Sequence, residues 1–349
     1  MYRRGGLWGV AVLASLLVTG AMAQTPVIID THAHLDNPGP SQNFRPNIDA
    51  AIRRMDAAGI RRSILMPPPQ TFARGNNWEL EAIRSARERF PDRLALAGGG
   101  GSLNGMIQDT PADAVTDAVR RKFRERAEEL IVAGAVAFGE ITAHHLSLSR
   151  MGPNHPYEWV PPDHPLLLLL ADIAAEKGVP IDLHLDLVPE DMPLPSRPIF
   201  NTGTTPAILK ANQPAFERLL AHNRKANIIW AHAGADMLWT RTVAVQTQLL
   251  ERHPNLYMSL RLNNGAPPPA IALDPSLKIK PFWMNLFRRF PDRFVFGSDS
   301  FHAPEGGRQR GPTDEGLETY RIVMSQLPAE VAEAIGHGNA ERLFRLKPD

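Results

Sequence analysis

Along residues 27–297, short apolar runs alternate with longer stretches in which apolar residues recur at helical spacing, the pattern of βα units around a parallel sheet. The pattern predicts eight strands, near Val27–Asp30, Arg62–Met66, Leu94–Gly98, Ala135–Glu140, Val179–His184, Ile228–His232, Leu256–Leu260 and Phe294–Gly297. Helices are predicted between them, at Asn47–Ala58, Trp78–Phe90, Pro111–Leu130, Pro165–Lys177, Pro214–Arg224, Asp236–Arg252 and Pro281–Phe290. Gly59 and Gly178 stand where helix C-caps belong. The expectation is an α/β chain folded as a (β/α)8 TIM barrel.

Several of these runs end abruptly in a residue type that binds metals or carries protons. The first closes in His32-Ala33-His34. Side chains alternate along a strand, so the two imidazoles point the same way. Later runs close in Glu140, His184 and His232, and the last is followed by Ser298-Asp299. Long connections rich in Pro and Gly, roughly His144–Asp163, Asp186–Gln213 and Leu262–Lys280, follow the fourth, fifth and seventh predicted strands. In a parallel barrel such loops emerge at the C-terminal face, where active sites are built, and the ligand-type residues end their strands on that face too. Two independent features therefore select one end of one barrel. Imidazole and carboxylate donors suit a divalent transition metal, one or two per chain, with zinc as first candidate and Mn, Fe, Co or Ni also open.

Composition narrows the picture. The 38 Lys plus Arg against 37 Asp plus Glu leave a formal net charge of +1, without the basic excess of a general nucleic-acid binder. No linker-like shift interrupts the interior, which favours a single domain over residues 24–349. Before it, Arg3 and Arg4, the apolar run Leu7–Val18 and Ala21-Met22-Ala23 are the three parts of a secretory signal peptide, residues 1–23. An uncleaved anchor is the alternative, but the run is short of the about 20 apolar residues a span needs. The chain has no cysteine, hence no disulfide and no thiolate ligand, and with export this points to a periplasmic protein. Leu166–Leu170 reads as a buried part of a helix. Arg89-Phe90-Pro91-Asp92-Arg93 recurs as Arg289-Phe290-Pro291-Asp292-Arg293, a reused helix-to-strand turn.

Taken together and in order, His32-Ala33-His34, His184, Trp230-Ala231-His232-Ala233-Gly234 and Phe296-Gly297-Ser298-Asp299 resemble the amidohydrolase superfamily of metal-dependent hydrolases, in its amidohydrolase-related branch. The closing Gly338-Asn339-Ala340-Glu341-Arg342-Leu343-Phe344 is similar to the end of that branch. The resemblance implies a hydrolase that opens a small-molecule ester, lactone or amide with metal-activated water. His32, His34 and Asp299 would hold one metal, His184 and His232 a second, with Glu140 shared and Asp299 as general base. Several binuclear members carry a carboxylated lysine at the fourth strand; here no lysine lies in Ala135–Ile141, and Glu140 resembles the bridge of TatD-type deoxyribonucleases and some lactonases. Glu140 outside the metal shell, with a single metal, is the competing reading. Other whole-protein readings are a metal-dependent decarboxylase of a small aromatic acid, a TatD-like nuclease, against which the absence of a basic stripe weighs, and a non-catalytic metal-binding protein.

Around this set, Arg261, His144 and His302 are the expected substrate-binding residues, each with an ordinary salt-bridge or loop role as the alternative; His145 shares the loop with His144. Asp30 and Asp182 stand where they either hold the outer nitrogens of the histidines or serve as ordinary buried carboxylates. Trp159, Phe200, Trp239 and Trp283 either line the pocket or pack. The expected partner is a small molecule, and the sequence leaves a homo-oligomer open.

Overall fold

The computed structural model describes residues 27–74, 77–151, 155–262, 271–307 and 314–347. In chain order its strands are β1 (Ile28–Leu35), β2 (Ile60–Leu65), β3 (Leu94–Leu96), β4 (Gly98–Gly99), β5 (Phe138–His145), β6 (Glu158–Trp159), β7 (Ile181–Leu185), β8 (Met192–Pro193), β9 (Ile208–Leu209), β10 (Ile228–Ala233), β11 (Leu256–Leu260), β12 (Phe294–Phe296) and β13 (Ser300–His302). The central row runs β3-β2-β1-β12-β11-β10-β7-β5-β4, parallel throughout. Its two ends are one stretch of chain. Ala97 N donates to Leu65 O at 2.9 Å on one side, and Gly98 N donates to Ala137 O at 3.1 Å on the other. This mixed α/β arrangement around a mostly parallel sheet fits a TIM-barrel-like fold. The remaining strands are accessory: β13 extends beside β1, β6 pairs antiparallel with β5, and β8 with β9 makes a separate hairpin.

Helices fill the crossovers, among them Arg45–Ala58, Asp117–Val132, Pro165–Lys177 and Pro281–Arg289. Gly59 and Gly178 end two of them at φ of 69° and 66°, the left-handed C-cap that only glycine enters at no steric cost. The apolar faces divide into layers. The larger core takes in Ile28, Ile60, Phe138, Ile228, Leu256 and Phe294 with the inner faces of the helices, including Leu166, Leu167 and Leu170. A second cluster uses alternate residues of the same strands, Ile29, Ile64, Ala95, Ala137, Ile229, Tyr257 and Val295, and is closed by Ala340, Leu343 and Phe344 of the last helix. Three residues beyond Ile29, Ala137 and Ile229 come His32, Glu140 and His232. The polar residues thus follow directly on this inner apolar layer.

Several boundaries differ from expectation, each for a local reason. β1 continues to Leu35 and β5 to His145, because β13 and β6 supply partners for the extra residues. The expected helix Asp236–Arg252 begins only at Val243. Asp236 instead accepts from Leu238 N at 2.9 Å and Arg241 N at 2.7 Å, folding a turn, and Thr242 then caps the helix by accepting from Val245 N at 3.2 Å. The expected helix Pro111–Leu130 likewise starts at Asp117, capped by Thr116. The expected signal peptide, residues 1–23, lies outside the described residues. Among the described residues, no helix is long and apolar enough to cross a membrane.

Candidate metal centre

β1 ends by presenting His32 and His34 on one side, both fully enclosed, with their Nε2 atoms 3.1 Å apart. What fixes them is on the far side of each ring. Asp182 Oδ1 lies 3.0 Å from His32 Nδ1, and the Met66 carbonyl lies 3.0 Å from His34 Nδ1. Both partners only accept, so each Nδ1 carries a hydrogen and Nε2 is the nitrogen each ring leaves for a cation, proton or metal, between the two. Two facing lone pairs repel unless a cation lies between them. Carboxylate oxygens converge on the same point, Glu140 Oε2 at 3.4 Å and Asp299 Oδ1 at 3.5 Å from His34 Nε2.

Asp299 arrives there by backbone anchoring. Asp30 accepts from Ser298 N at 2.9 Å and Ser298 Oγ at 2.6 Å, and Asp299 N donates to the His32 carbonyl at 2.8 Å. Gly297 makes the approach feasible, since a Cβ on it would meet His32 Cβ and Ser259 Cβ at 2.9 Å. Asp299 and His232 both hold left-handed backbone, φ 55° and 66°, a conformation costing about 1–3 kcal/mol in non-glycine residues that the surrounding hydrogen bonds sustain.

Glu140 joins this pair to a second one. Its Oε1 lies 2.9 Å from His184 Nδ1 and 3.4 Å from His232 Nε2, and these two nitrogens are 3.1 Å apart. One carboxylate thus offers one oxygen to each pair of imidazoles. Three overlapping trios, His32-His34-Glu140, His32-His232-Asp299 and Glu140-His184-His232, each keep their ligand atoms within 4.8 Å of one another. The donor set and spacing fit a divalent transition metal.

The charges agree. Burial works against ionising either His32 or Glu140, yet the fields of Asp182 and Glu140 drive His32 well above the ordinary imidazole range, and His32, His184 and His232 hold Glu140 well below the carboxylate range. Burial also opposes charge on His184, but Asp186 and Glu140 prevail and raise it to about 9. At His232 burial dominates and brings the imidazole down to about 3. Burial would raise Asp299, but the Arg261 guanidinium, its NH1 2.7 Å from Oδ2, and His232 hold the carboxyl well below the usual range.

All six expected ligands, His32, His34, Glu140, His184, His232 and Asp299, therefore come together. The expected substrate-binding residues scatter. Arg261 lies at the cluster, engaged with Asp299. His144 is buried one step away, its Nδ1 2.6 Å from the Asp186 carbonyl and 3.2 Å from Asn212 Nδ2. His302 stands outside the cluster: on β13, Phe301 takes the place beside His34, ring centroids 4.4 Å apart, and His302 Nδ1 lies 3.4 Å from Arg54 NH1 on the neighbouring helix. Of the adjacent pair it is His145 whose ring packs on His184, at 4.3 Å between centroids. Of the two carboxylates with open roles, Asp182 holds an outer ring nitrogen, whereas Asp30 ties Ser298 to β1. Asp186, with Oδ2 3.6 Å from His184 Nε2, was missed, although it sits two residues from His184 and so on the same side of an extended strand. Trp283 is core, and Trp159 and Trp239 are exposed.

Among solved structures, the chain is similar to Amidohydrolase 2 from Bifidobacterium longum subsp. infantis, with 12% identity over 93% of this chain and 100% of that one, TM-score 0.41. An amidohydrolase from Mycobacterium avium subsp. paratuberculosis K-10 shares 14% identity over 85% of this chain and 74% of that one, TM-score 0.41. Dipeptidase AC, a metallo peptidase, shares 13% over 92% and 98%, TM-score 0.47. No curated protein matches the chain. The amidohydrolase family model matches residues 29–346, a span that takes in every member of the cluster, and the chain belongs to the amidohydrolase family.

Proposed function

We propose that this chain is a metal-dependent hydrolase that opens an ester, lactone or amide bond of a small molecule, and that Glu140 would be shared between two metal subsites. The division of the two Glu140 oxygens between two pairs of histidines carries this reading. His32, His34 and Asp299 would hold one metal, His184 and His232 the other, with zinc the first candidate. A divalent metal supplies Lewis acidity toward a carbonyl and makes water more acidic at neutral pH.

The remaining chemistry belongs to the chain. Asp299 keeps one oxygen on Arg261 and turns the other toward the cluster, so Arg261 fixes the carboxylate's orientation while Asp299 takes the proton of the attacking water. Having taken that proton, Asp299 is also placed to return it to the leaving group. His145, packed on His184, stands where it can orient the substrate.

The first test is metal content per chain on protein purified without added metal or chelator, beside Glu140→Ala. Near two equivalents, reduced by the substitution, together with hydrolysis of esters, lactones or amides, is the expected result. One equivalent, unchanged in Glu140→Ala, would remove Glu140 from the shell and bring decarboxylation of a small aromatic acid to the front. Export through residues 1–23 belongs to the same reading: periplasmic protein should have an N-terminus at Gln24, and a mature chain still carrying Met1 would overturn it.

A further inference from the structure

We propose that Asp182 sets the order of metal uptake, so that the His32-His34-Asp299 subsite fills before the His184-His232 subsite. The inference rests on the two-metal reading above. It comes from how differently the two pairs of imidazoles are held.

In the first subsite both outer nitrogens are in hydrogen bonds of 3.0 Å, His32 to Asp182 and His34 to the Met66 carbonyl. Asp182 is enclosed between two strands. It is fully buried on β7, and its Cβ lies where any side chain on Gly139 of β5 would come within 2.8 Å. Its Oδ2 has no hydrogen-bond partner among the described residues, so His32 is the contact that orients the carboxylate. Both rings are therefore fixed in direction before a metal arrives, and the His32 and His34 side chains are 0% exposed.

The second subsite lacks this support. His184 Nε2 lies 3.6 Å from Asp186 Oδ2, too far for a good hydrogen bond, and the His184 side chain is 12% exposed. His232 Nδ1 has no partner among the described residues. The first subsite also has a carboxylate of its own, Asp299, whereas the second has only its share of Glu140. Metal there must order the rings that it binds and finds one carboxylate ligand fewer. Outer partners of ligating histidines typically account for about 10–100-fold in metal affinity, and that is the separation expected between the two steps.

The test equilibrates the full mature chain, loaded with Zn2+, against graded chelator buffers and counts bound zinc per chain. Wild type should lose zinc in two steps separated by at least about tenfold. Asp182→Ala should weaken the tighter step by about 10–100-fold and leave the weaker step in place, merging the two. Asp182→Asn, which keeps an acceptor oxygen at nearly the same volume, should recover most of the tighter step; Asp186→Asn should leave it unmoved. Circular dichroism on each variant separates loss of fold from loss of metal, and the wild-type curve tests the order independently of any variant. Two equivalents lost in one step of equal affinity would overturn the order while leaving the two-metal reading intact. An unchanged tighter step in Asp182→Ala, or a weaker step that moves instead, would overturn the role of Asp182. A single equivalent in wild type would remove the two-metal reading, and the order with it.

Discussion

The strand-end cluster and the loop layer that adjoins it lie side by side, but different forces hold them. Every cluster residue lies on, or just beyond, a strand of the parallel row, and its direction is set by backbone pairing and, at His232 and Asp299, by a left-handed turn of the backbone. The adjoining layer is a small apolar body assembled from three connections: Leu146 and Leu148 after β5, Val188, Phe200 and Leu209 after β7, and Leu238 after β10. Polar ties join the connections to one another. Asn212 Oδ1 accepts from Val188 N at 2.7 Å, Thr240 Oγ1 donates to the Leu187 carbonyl at 2.6 Å, and Arg197 NH1 donates to the Met237 carbonyl at 2.8 Å. His145 touches both regions, packed on His184 on one side and on His155 at 4.8 Å on the other. On the proposed reading, the difference assigns chemistry to the strand-borne part of the fold and selectivity to the part built of connections.

The sharpest break in that division would come from Asp299. If its carboxylate carries protons, Asp299→Asn should lower kcat by about 10²–10⁴-fold, the usual contribution of a positioned acid-base group. Metal at the His184-His232 subsite should remain, which metal counting on the same sample checks. Loss of all metal with loss of activity would make Asp299 a ligand alone and leave the proton transfer without a carrier.

A smaller effect is expected at Gly297, which never touches a metal. The Cβ of Gly297→Ala would press on His32 and Ser259 at 2.9 Å, and neither is a flexible chain end. Overpacking of this kind costs about 1–3 kcal/mol. Because the displaced residue is His32, the expected readout is a lower melting temperature together with a several-fold weaker first metal step. A variant that melts early but binds metal as wild type would show that strand ends transmit less to the cluster than register implies.

What the sequence made legible follows the same line. Period-two alternation put His32 and His34 on one face, and the abrupt polar ends of later apolar runs pointed to Glu140, His184, His232 and Asp299, because strand ends in a parallel barrel share one face. Asp182 was legible too, as a carboxylate two residues from His184. Loop residues obey no such period. His144 and His145 are adjacent, and nothing in their spacing says that His145 meets His184 while His144 turns to the Asp186 carbonyl. The position of His302 depends on β13 pairing beside β1, a register that puts Phe301, not its neighbour, opposite His34. The hairpin of β8 and β9 was invisible because Met192-Pro193 and Ile208-Leu209 are too short to show alternation.

The smallest effect on chemistry should come from the layer itself. Phe200 is buried within it, with the Arg197 guanidinium 5.0 Å from its ring. Phe200→Ala removes a large side chain; in a rigid core that costs about 3–5 kcal/mol, and a layer built of loops relaxes to recover part of it. The consequence belongs to the connection after β7, which should be cut faster by protease, and to substrate, whose KM should rise several-fold while kcat changes little, the signature of lost uniform binding. Metal content should stay at the wild-type value, since neither Phe200 nor its neighbours hold an outer ring nitrogen. If zinc is lost as readily as in Asp182→Ala, the layer is part of what positions His184, and the two regions form one mechanical unit.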